Sequence, residues 1–351
     1  MNKLSPTQVP IVAIIGGGPA GLMAAEHLSK AGCEVHLFDA MPSLGRKFLL
    51  AGRGGLNLTH SEPLSAFISR YRMPQAQIER WLSEFDADEL RRWASGLGIE
   101  TFVGSSGRVF PVGMKTSPLL RAWLARLVER GVQFHLRHRW LGWNGAGELV
   151  FATPEGSVSF AASATILALG GGSWARLGSD GAWTPLLAAK GVATSPLRPA
   201  NCGFDVAWSD HLRTRFAGTP VKSVAAILTR ADGSSIERKG EFVISRHGVE
   251  GSLIYALSAP LRELVDANGS AVLHIDLAPA HTLAHLTAEL TRARGSASVA
   301  NHLRRRVGIA GVKAALLREC GDAAVFADPQ LLAEHIKRLP LHLLEIGRAH
   351  V

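Results

Sequence analysis

Cysteine is almost absent: Cys33, Cys202 and Cys320 are the only three in 351 residues, far apart and never in C-x-x-C spacing. That usage excludes a disulfide framework, a thiolate zinc site and a redox dithiol. Long apolar runs are also missing, and none reaches the roughly 18 residues that a bilayer-spanning helix needs. The stretch from Ile11 to Ala25 follows Lys3 and could imitate a signal peptide. Gly16, Gly17, Gly18, Pro19 and Gly21 interrupt it, however, and no small-residue cleavage site precedes polar sequence. Neither G-x-S-x-G nor a P-loop occurs, so hydrolysis by a serine nucleophile and NTP hydrolysis have no support. What remains is a cytoplasmic protein with no membrane partner.

The 47% hydrophobic and 19% charged content is that of an ordinary globular chain. Its length gives room for two domains, one of them inserted in the other. The formal charge of +9 raises the question of nucleic acid. Much of the excess sits beside acids, as in Glu89-Leu90-Arg91-Arg92. The densest run, Arg304-Arg305-Arg306 with Lys313 and Arg318 beyond, reads as a solvated helix face. An anionic cofactor or substrate would tolerate the same balance.

Residues 11–15 (IVAII) are apolar and largely β-branched, which predicts a short buried strand. A helix is expected from Pro19 to Ala31, ended by Gly32, and Glu34–Asp39 alternates as the next strand. The three make one β-α-β crossover, which requires a parallel sheet. A basic, glycine-rich connection over 45–60 comes next. One amphipathic helix is expected near 75–97 and a second from Ser117-Pro118. Strands with turns at Asn144-Gly145 and Glu155-Gly156 fill 134–160, and 164–169 reads as another buried strand. Residues 1–191 are therefore expected to form one domain. Residues 192–340 form a second, with strands first (a hairpin at Asp232-Gly233) and helices from 281 onward.

Gly16-Gly17-Gly18-Pro19-Ala20-Gly21 matches G-x-G-x-x-G, and its setting between strand and helix gives it weight. Gly16 permits the turn, Gly18 lets backbone approach a pyrophosphate, and Gly21 with Ala25 lets helix pack on strand. The helix N-terminus then offers N–H groups and a positive dipole end to phosphate. Asp39, about 20 residues on, is placed to accept hydrogen bonds from ribose hydroxyls and disfavours a 2′-phosphate. The connection after it carries Arg46, Lys47 and Arg53 among Gly45, Gly52, Gly54 and Gly55, with Asn57 following and no acid before Ser61. Either a mobile surface loop or a ligand-contacting loop fits that composition. Ala168-Leu169-Gly170-Gly171-Gly172 suggests a second backbone crossing near the same ligand. His281 and His285 have metal-compatible spacing but no supporting cysteine or H-E-x-x-H, so no metal site is expected. His247, in Ser245-Arg246-His247-Gly248-Val249-Glu250-Gly251, is the candidate acid or base, against the alternative of a plain turn.

Five stretches carry a family resemblance: IIGGGPAGLMAAEHL, GRKFLLAGRGGLNLTH, FVGSSGRVFPVGMKTSPLLRAWL, ILALGGGSWARLGSDGAW and GEFVISRHGVEGSLIYALS. Through them the chain resembles the BaiN-like (aminoacetone-oxidase-like) NAD(P)/FAD-dependent oxidoreductases of bacteria from about residue 10 to 340. The resemblance implies an α/β fold: a Rossmann-type FAD-binding domain of the two-dinucleotide-binding flavoprotein type, with an inserted mixed β-barrel and helical domain. It implies FAD on Gly16, Gly18, Gly21 and Asp39, with Arg46, Lys47 and Asn57 near pyrophosphate and flavin and Gly170 and Gly171 close by. Pro19, Ala20, Ala40, Gly52, Arg53 and Ala168 complete the expected cofactor-binding set. Many members carry Thr where Leu169 stands. A closing C-terminal segment of the G-E-x-x-D and T-G-G-Y-N type is not found, so the chain reads as C-terminally truncated and is expected to hold FAD weakly. Residues 345–351 resemble a translated sequencing-adapter oligonucleotide and read as an artefactual tail.

The expected function is hydride transfer between a reduced nicotinamide or small-molecule organic substrate and FAD, with NAD(P)H as a transient donor. Two competing readings stay open: a simple NAD-dependent dehydrogenase, and a flavin-containing RNA-binding or RNA-modifying protein suggested by the basic 292–318 region.

Overall fold

The computed structural model describes residues 9–52, 54–71, 74–230 and 232–347. The chain divides into two compact units, residues 1–197 and 198–351.

The first unit is built on the expected crossover. Strand β1 (Ile11–Ile15), helix α1 (Pro19–Lys30) and strand β2 (Glu34–Asp39) follow one another directly. Helix α2 (Arg46–Ala51) occupies the connection that composition alone left as a loop. The amphipathic stripe at 75–97 forms two helices, α3 (Gln75–Glu84) and α4 (Ala87–Ser95). The break has a local cause: Asp86 caps α4, accepting hydrogen bonds from the Asp88 and Glu89 N–H groups at 2.9 and 2.8 Å. Helix α5 (Thr116–Glu129) leads to strands β3 (Gln133–Leu136), β4 (Arg139–Trp143), β5 (Leu149–Thr153), β6 (Gly156–Phe160) and β7 (Ala164–Leu167).

Strands β7, β1, β2 and β3 lie in that order in one parallel sheet. The chain leaves β1 towards β2 and returns to β7 on the opposite side, so the strand order reverses at β1. In open α/β sheets the carboxyl ends at such a reversal form the ligand crevice. One layer, including Leu22, Ala25, Leu120, Trp123 and Leu127, packs on one face of the sheet, and Phe38, Trp140 and Phe151 pack on the other. Strand β7 departs from expectation, because Ala164, Thr165 and Leu167 are exposed. Among the described residues it pairs with β1 alone and stands at the edge of the sheet.

The second unit is an antiparallel sheet with helices from 283 to 337 packed around Leu273, Ile275, Leu316 and Ile336. Its strands run in the order 204–205, 248–250, 235–244, 220–229, 271–276 and 339–343. The Asp232-Gly233 turn joins two of them. The strand ending at Leu343 continues past the sheet edge. Asp205 N–H donates to the Glu345 carbonyl and Gly347 N–H to the Gly203 carbonyl, which closes the sheet into a barrel-like ring. Glu345, Ile346 and Gly347, expected to lie outside the fold, are thus hydrogen-bonded to it, and 348–351 lie outside the described residues. Among the described residues no helix is long and apolar enough to cross a membrane.

One buried charge ties α1 to the helices behind the sheet. Glu26, only 7% exposed, lies 2.6 Å from Arg126 and 3.3 Å from Arg130, and accepts a hydrogen bond from Trp93 Nε1 at 3.1 Å. Removing the carboxylate would leave two half-buried guanidinium groups without their counter-charge. Glu26→Ala should therefore cost about 2–4 kcal/mol of stability in urea unfolding; a loss under about 0.5 kcal/mol would mean that solvent already screens the cluster.

Candidate functional site

The turn after β1 is compressed by backbone contacts that only glycine allows. Gly16 has φ of 112°, and a Cβ there would lie 2.3 Å from the Ala168 carbonyl oxygen. A Cβ on Gly21 would lie 1.9 Å from the Gly16 carbonyl oxygen, so the first and last glycines of the motif are needed for packing. Gly18 differs. Nothing lies within 4 Å of the Cβ it lacks, and it lines an open cleft. Gly18 is also the N-cap of α1, in extended conformation, with no side-chain cap and no acid in the first turn. An unfilled space over a bare helix N-terminus is what an approaching phosphate requires.

Asp39 closes the turn from the other side. One carboxylate oxygen accepts the Gly17 N–H at 2.7 Å, and the other accepts the Met41 N–H at 2.7 Å. Burial pushes the Asp39 carboxyl above the usual range, while these two N–H donors and nearby Arg46 pull it back. Each oxygen keeps a second lone pair for a ligand hydroxyl. The third wall is α2: Gly45, in the left-handed region at φ of 65°, donates its N–H to the Gly17 carbonyl at 2.9 Å. Arg46 and Lys47 begin that helix and line the cleft.

The cleft has a volume of about 520 Å³. Of the expected residues it gathers Gly16, Gly18, Pro19, Ala20, Asp39, Arg46, Lys47, Ala168 and Gly170. Gly21 lies beneath it as a packing residue. Ala40 lines a smaller adjoining cavity of about 90 Å³, bounded also by His138, Arg139, Trp140 and Asp180 and sharing Gly16, Asp39, Leu169, Gly178 and Trp183 with the first. Gly52, Asn57 and Gly171 line neither. Gly52 ends α2, where a Cβ would strike Thr116 Oγ1, and Asn57 is exposed. Arg53 lies outside the described residues. His247 belongs to the second unit, in an exposed turn where its carbonyl accepts the Val206 N–H. Composition gave no sign of Ser179, Trp183 or Arg139. The first two lie within the GSWARLGSDGAW segment and were discoverable as part of that motif; Arg139 simply follows a turn between strands. His281 and His285 stack on each other at 4.9 Å, and among the described residues no three His, Cys, Asp or Glu side chains converge as a metal group.

Behind Asp39 a stack of rings joins the parallel sheet to β4–β6. His36 Nδ1 is 2.9 Å from His135 Nε2, His36 Nε2 is 3.0 Å from Glu34, and the Phe38 ring lies between His135 and Phe151 at 4.4 and 4.3 Å.

The family model described as HI0933-like protein Rossmann domain matches residues 10–318. The chain belongs to that family, the one to which its motifs point. It is 26% identical over 273 residues to a 3-dehydro-bile acid delta(4,6)-reductase of Clostridium scindens, which covers 76% of this chain and 64% of that protein. Over 49 residues it is 47% identical to a ribosomal RNA dihydrouridine synthase of Haemophilus influenzae, 14% of this chain and 12% of the other. The chain therefore spans less than two thirds of the length of these curated relatives. A solved structure, 3-ketosteroid-delta4-(5alpha)-dehydrogenase of Rhodococcus jostii RHA1, is similar at 15% identity and a TM-score of 0.47, covering 98% of this chain and 85% of that one.

Burial, then the neighbouring His36 and His138, lower His135 to about 4 from an ordinary 6.5. The folded protein thus binds fewer protons than the unfolded chain between these values, so the contribution is fully present above pH 6.5 and is lost as pH falls towards 4. The His135 ring should titrate near pH 4 by NMR, with stability falling across that window; a midpoint near 6.5 would mean that the stack is open to water.

Proposed function

We propose that the chain is an FAD-dependent oxidoreductase whose first unit holds the cofactor. The observation that carries this reading is Gly18, bare above the N-terminus of α1 and facing a cleft with Asp39 at one end and Arg46 and Lys47 on its wall. The donor set suits FAD: backbone N–H groups and two cations for the pyrophosphate, a carboxylate for ribose hydroxyls, and an adjoining cavity edged by Ala40, His138 and Trp140 for the flat adenine ring. Bound FAD supplies an isoalloxazine that exchanges a hydride with a nicotinamide or an organic compound.

The chain's own residues bind and orient. Gly16 and Gly21 bring backbone close enough to leave the phosphate path clear, Asp39 sets the ribose, and Arg46 and Lys47 balance the diphosphate charge. In this reading a reduced nicotinamide, NAD(P)H, serves as the transient electron donor. Both relatives are named for reductions, since making dihydrouridine adds two hydrogens to a uracil ring. Reduction of a small organic acceptor is the direction these names favour. The 47% match to the ribosomal RNA enzyme supports a second reading in which the acceptor is a base in RNA. A colourless protein that takes up NAD and not FAD would instead support a simple dehydrogenase.

Titrating FAD with the purified protein should perturb the flavin absorbance bands near about 370 and 450 nm in a saturable way. Asp39→Asn should weaken FAD binding by about ten- to a hundredfold, the worth of charge-assisted hydrogen bonds to ribose. Absence of FAD uptake by the unaltered chain contradicts the proposal.

A further inference from the structure

The segment from Gly170 to Gly181 follows β7 and runs along both cavities. Leu177, Gly178 and Ser179 line the larger one, and Gly178 and Asp180 line the smaller. Half of the segment is exposed, and Ser179 alone is deeply buried, at 5%. It contains a single 3₁₀ turn (Ala175–Leu177) and is bounded by two glycines in the left-handed region, Gly170 at φ of 71° and Gly181 at 70°. Such backbone gives a hinge at each end.

Two contacts fasten it, and they meet at consecutive residues. From α2, Lys47 Nζ donates to Ser179 Oγ at 3.1 Å, to the Ser173 carbonyl at 3.3 Å and to Ser173 Oγ at 3.4 Å. Ser179 Oγ passes the link on to the Gly171 carbonyl at 2.8 Å. From the start of β4, Arg139 pairs with Asp180 at 2.8 Å, and Asp180 also receives the Ala182 N–H. Just before these two residues Gly178 lies against Met41, where a Cβ would come within 2.7 Å of the side chain. The segment is therefore held by two separate elements, α2 beside the larger cleft and β4 beside the smaller cavity.

We propose that residues 171–181 are a strap that opens and closes over the nucleotide cleft, with Lys47 and the Arg139–Asp180 pair as its two latches. A strap of this kind governs how fast the ligand enters and leaves, beyond how tightly it binds. Lys47 then has a second duty: in the ligand-free protein it holds the strap, and an arriving diphosphate competes for the same ammonium. Arg139 and Asp180 are positioning residues that act through the strap. The inference about ligand exchange rests on the reading that the cleft holds the cofactor; the inference that the strap is latched does not.

Hydrogen–deuterium exchange on the ligand-free protein, read on peptides covering 170–183, tests the latches directly. Arg139→Gln or Asp180→Asn should speed exchange there by about threefold, and Lys47→Met by about tenfold. The double variant Arg139→Asp with Asp180→Arg should restore most of the protection, which a merely structural loss would not do. Equal exchange in all variants, or no restoration by the charge swap, overturns the strap. Loaded protein gives the second readout: FAD release into an excess of competing apoflavoprotein should quicken by the same factor in the Arg139 and Asp180 variants. Failure of unaltered protein to bind FAD would count against the proposed cofactor, and the exchange data would still decide the strap.

Discussion

Asp39 organises the cleft before any ligand arrives. Its two carboxylate oxygens hold the Gly17 and Met41 N–H groups, which binds the glycine turn after β1 to the end of β2. Everything else around the site follows from that closure. With Gly17 held, its carbonyl meets the Gly45 N–H and brings α2 with Arg46 and Lys47 onto the cleft. Gly16 is then close enough to touch the Ala168 carbonyl, which joins β1 to the far side of the strand reversal. The carboxylate works against its own burial, and the balance of desolvation against two N–H donors sets how readily it accepts a ribose hydroxyl.

The parts of this arrangement that were legible in the sequence are those governed by local rules. The β1–α1–β2 unit emerges from an apolar run, a glycine fingerprint and an alternating strand, and its boundaries agree to within a residue. The same motif brings Gly16, Gly18 and Asp39 to the cleft and sets Gly21 beneath it, because close backbone approach leaves only glycine at fixed spacings. Helix α2 was hidden because Gly52, Gly54 and Gly55 dominate the composition of its connection, while RKFLLA is too short for periodicity to register. The break between α3 and α4 needed Asp86 to be recognised as a cap inside a continuous apolar stripe. Strand β7 reads as buried because ATILAL is apolar, yet sheet order, a non-local property, puts it at an edge. Gly52 and Asn57 share a motif with Lys47 and still fall outside the cleft lining, since the six-residue helix α2 carries the chain away from it.

Two kinds of buried polar grouping support the first unit, and they differ in consequence. Glu26 with Arg126, Arg130 and Trp93 is a clamp in which one buried carboxylate serves two guanidinium groups and an indole N–H. In the stack behind Asp39, burial and the neighbouring histidines lower His135 to about 4, so its effect on stability is confined to acid conditions. Glu26 and its partners lie away from the cleft lining, whereas Phe38 and His138 beside the stack line the smaller cavity. The rigid back of the unit and the lightly latched strap in front of it divide the work between stability and exchange, as expected where a ligand must both enter and be held.

A crystal structure of the protein grown with ADP tests the central claim most directly, since ADP is common to the FAD and NAD readings. The account predicts the diphosphate over Gly18 and the N-terminus of α1, with a ribose hydroxyl on the Asp39 carboxylate. Nucleotide found away from Gly16–Gly21, or bound there with Asp39 untouched, would contradict it.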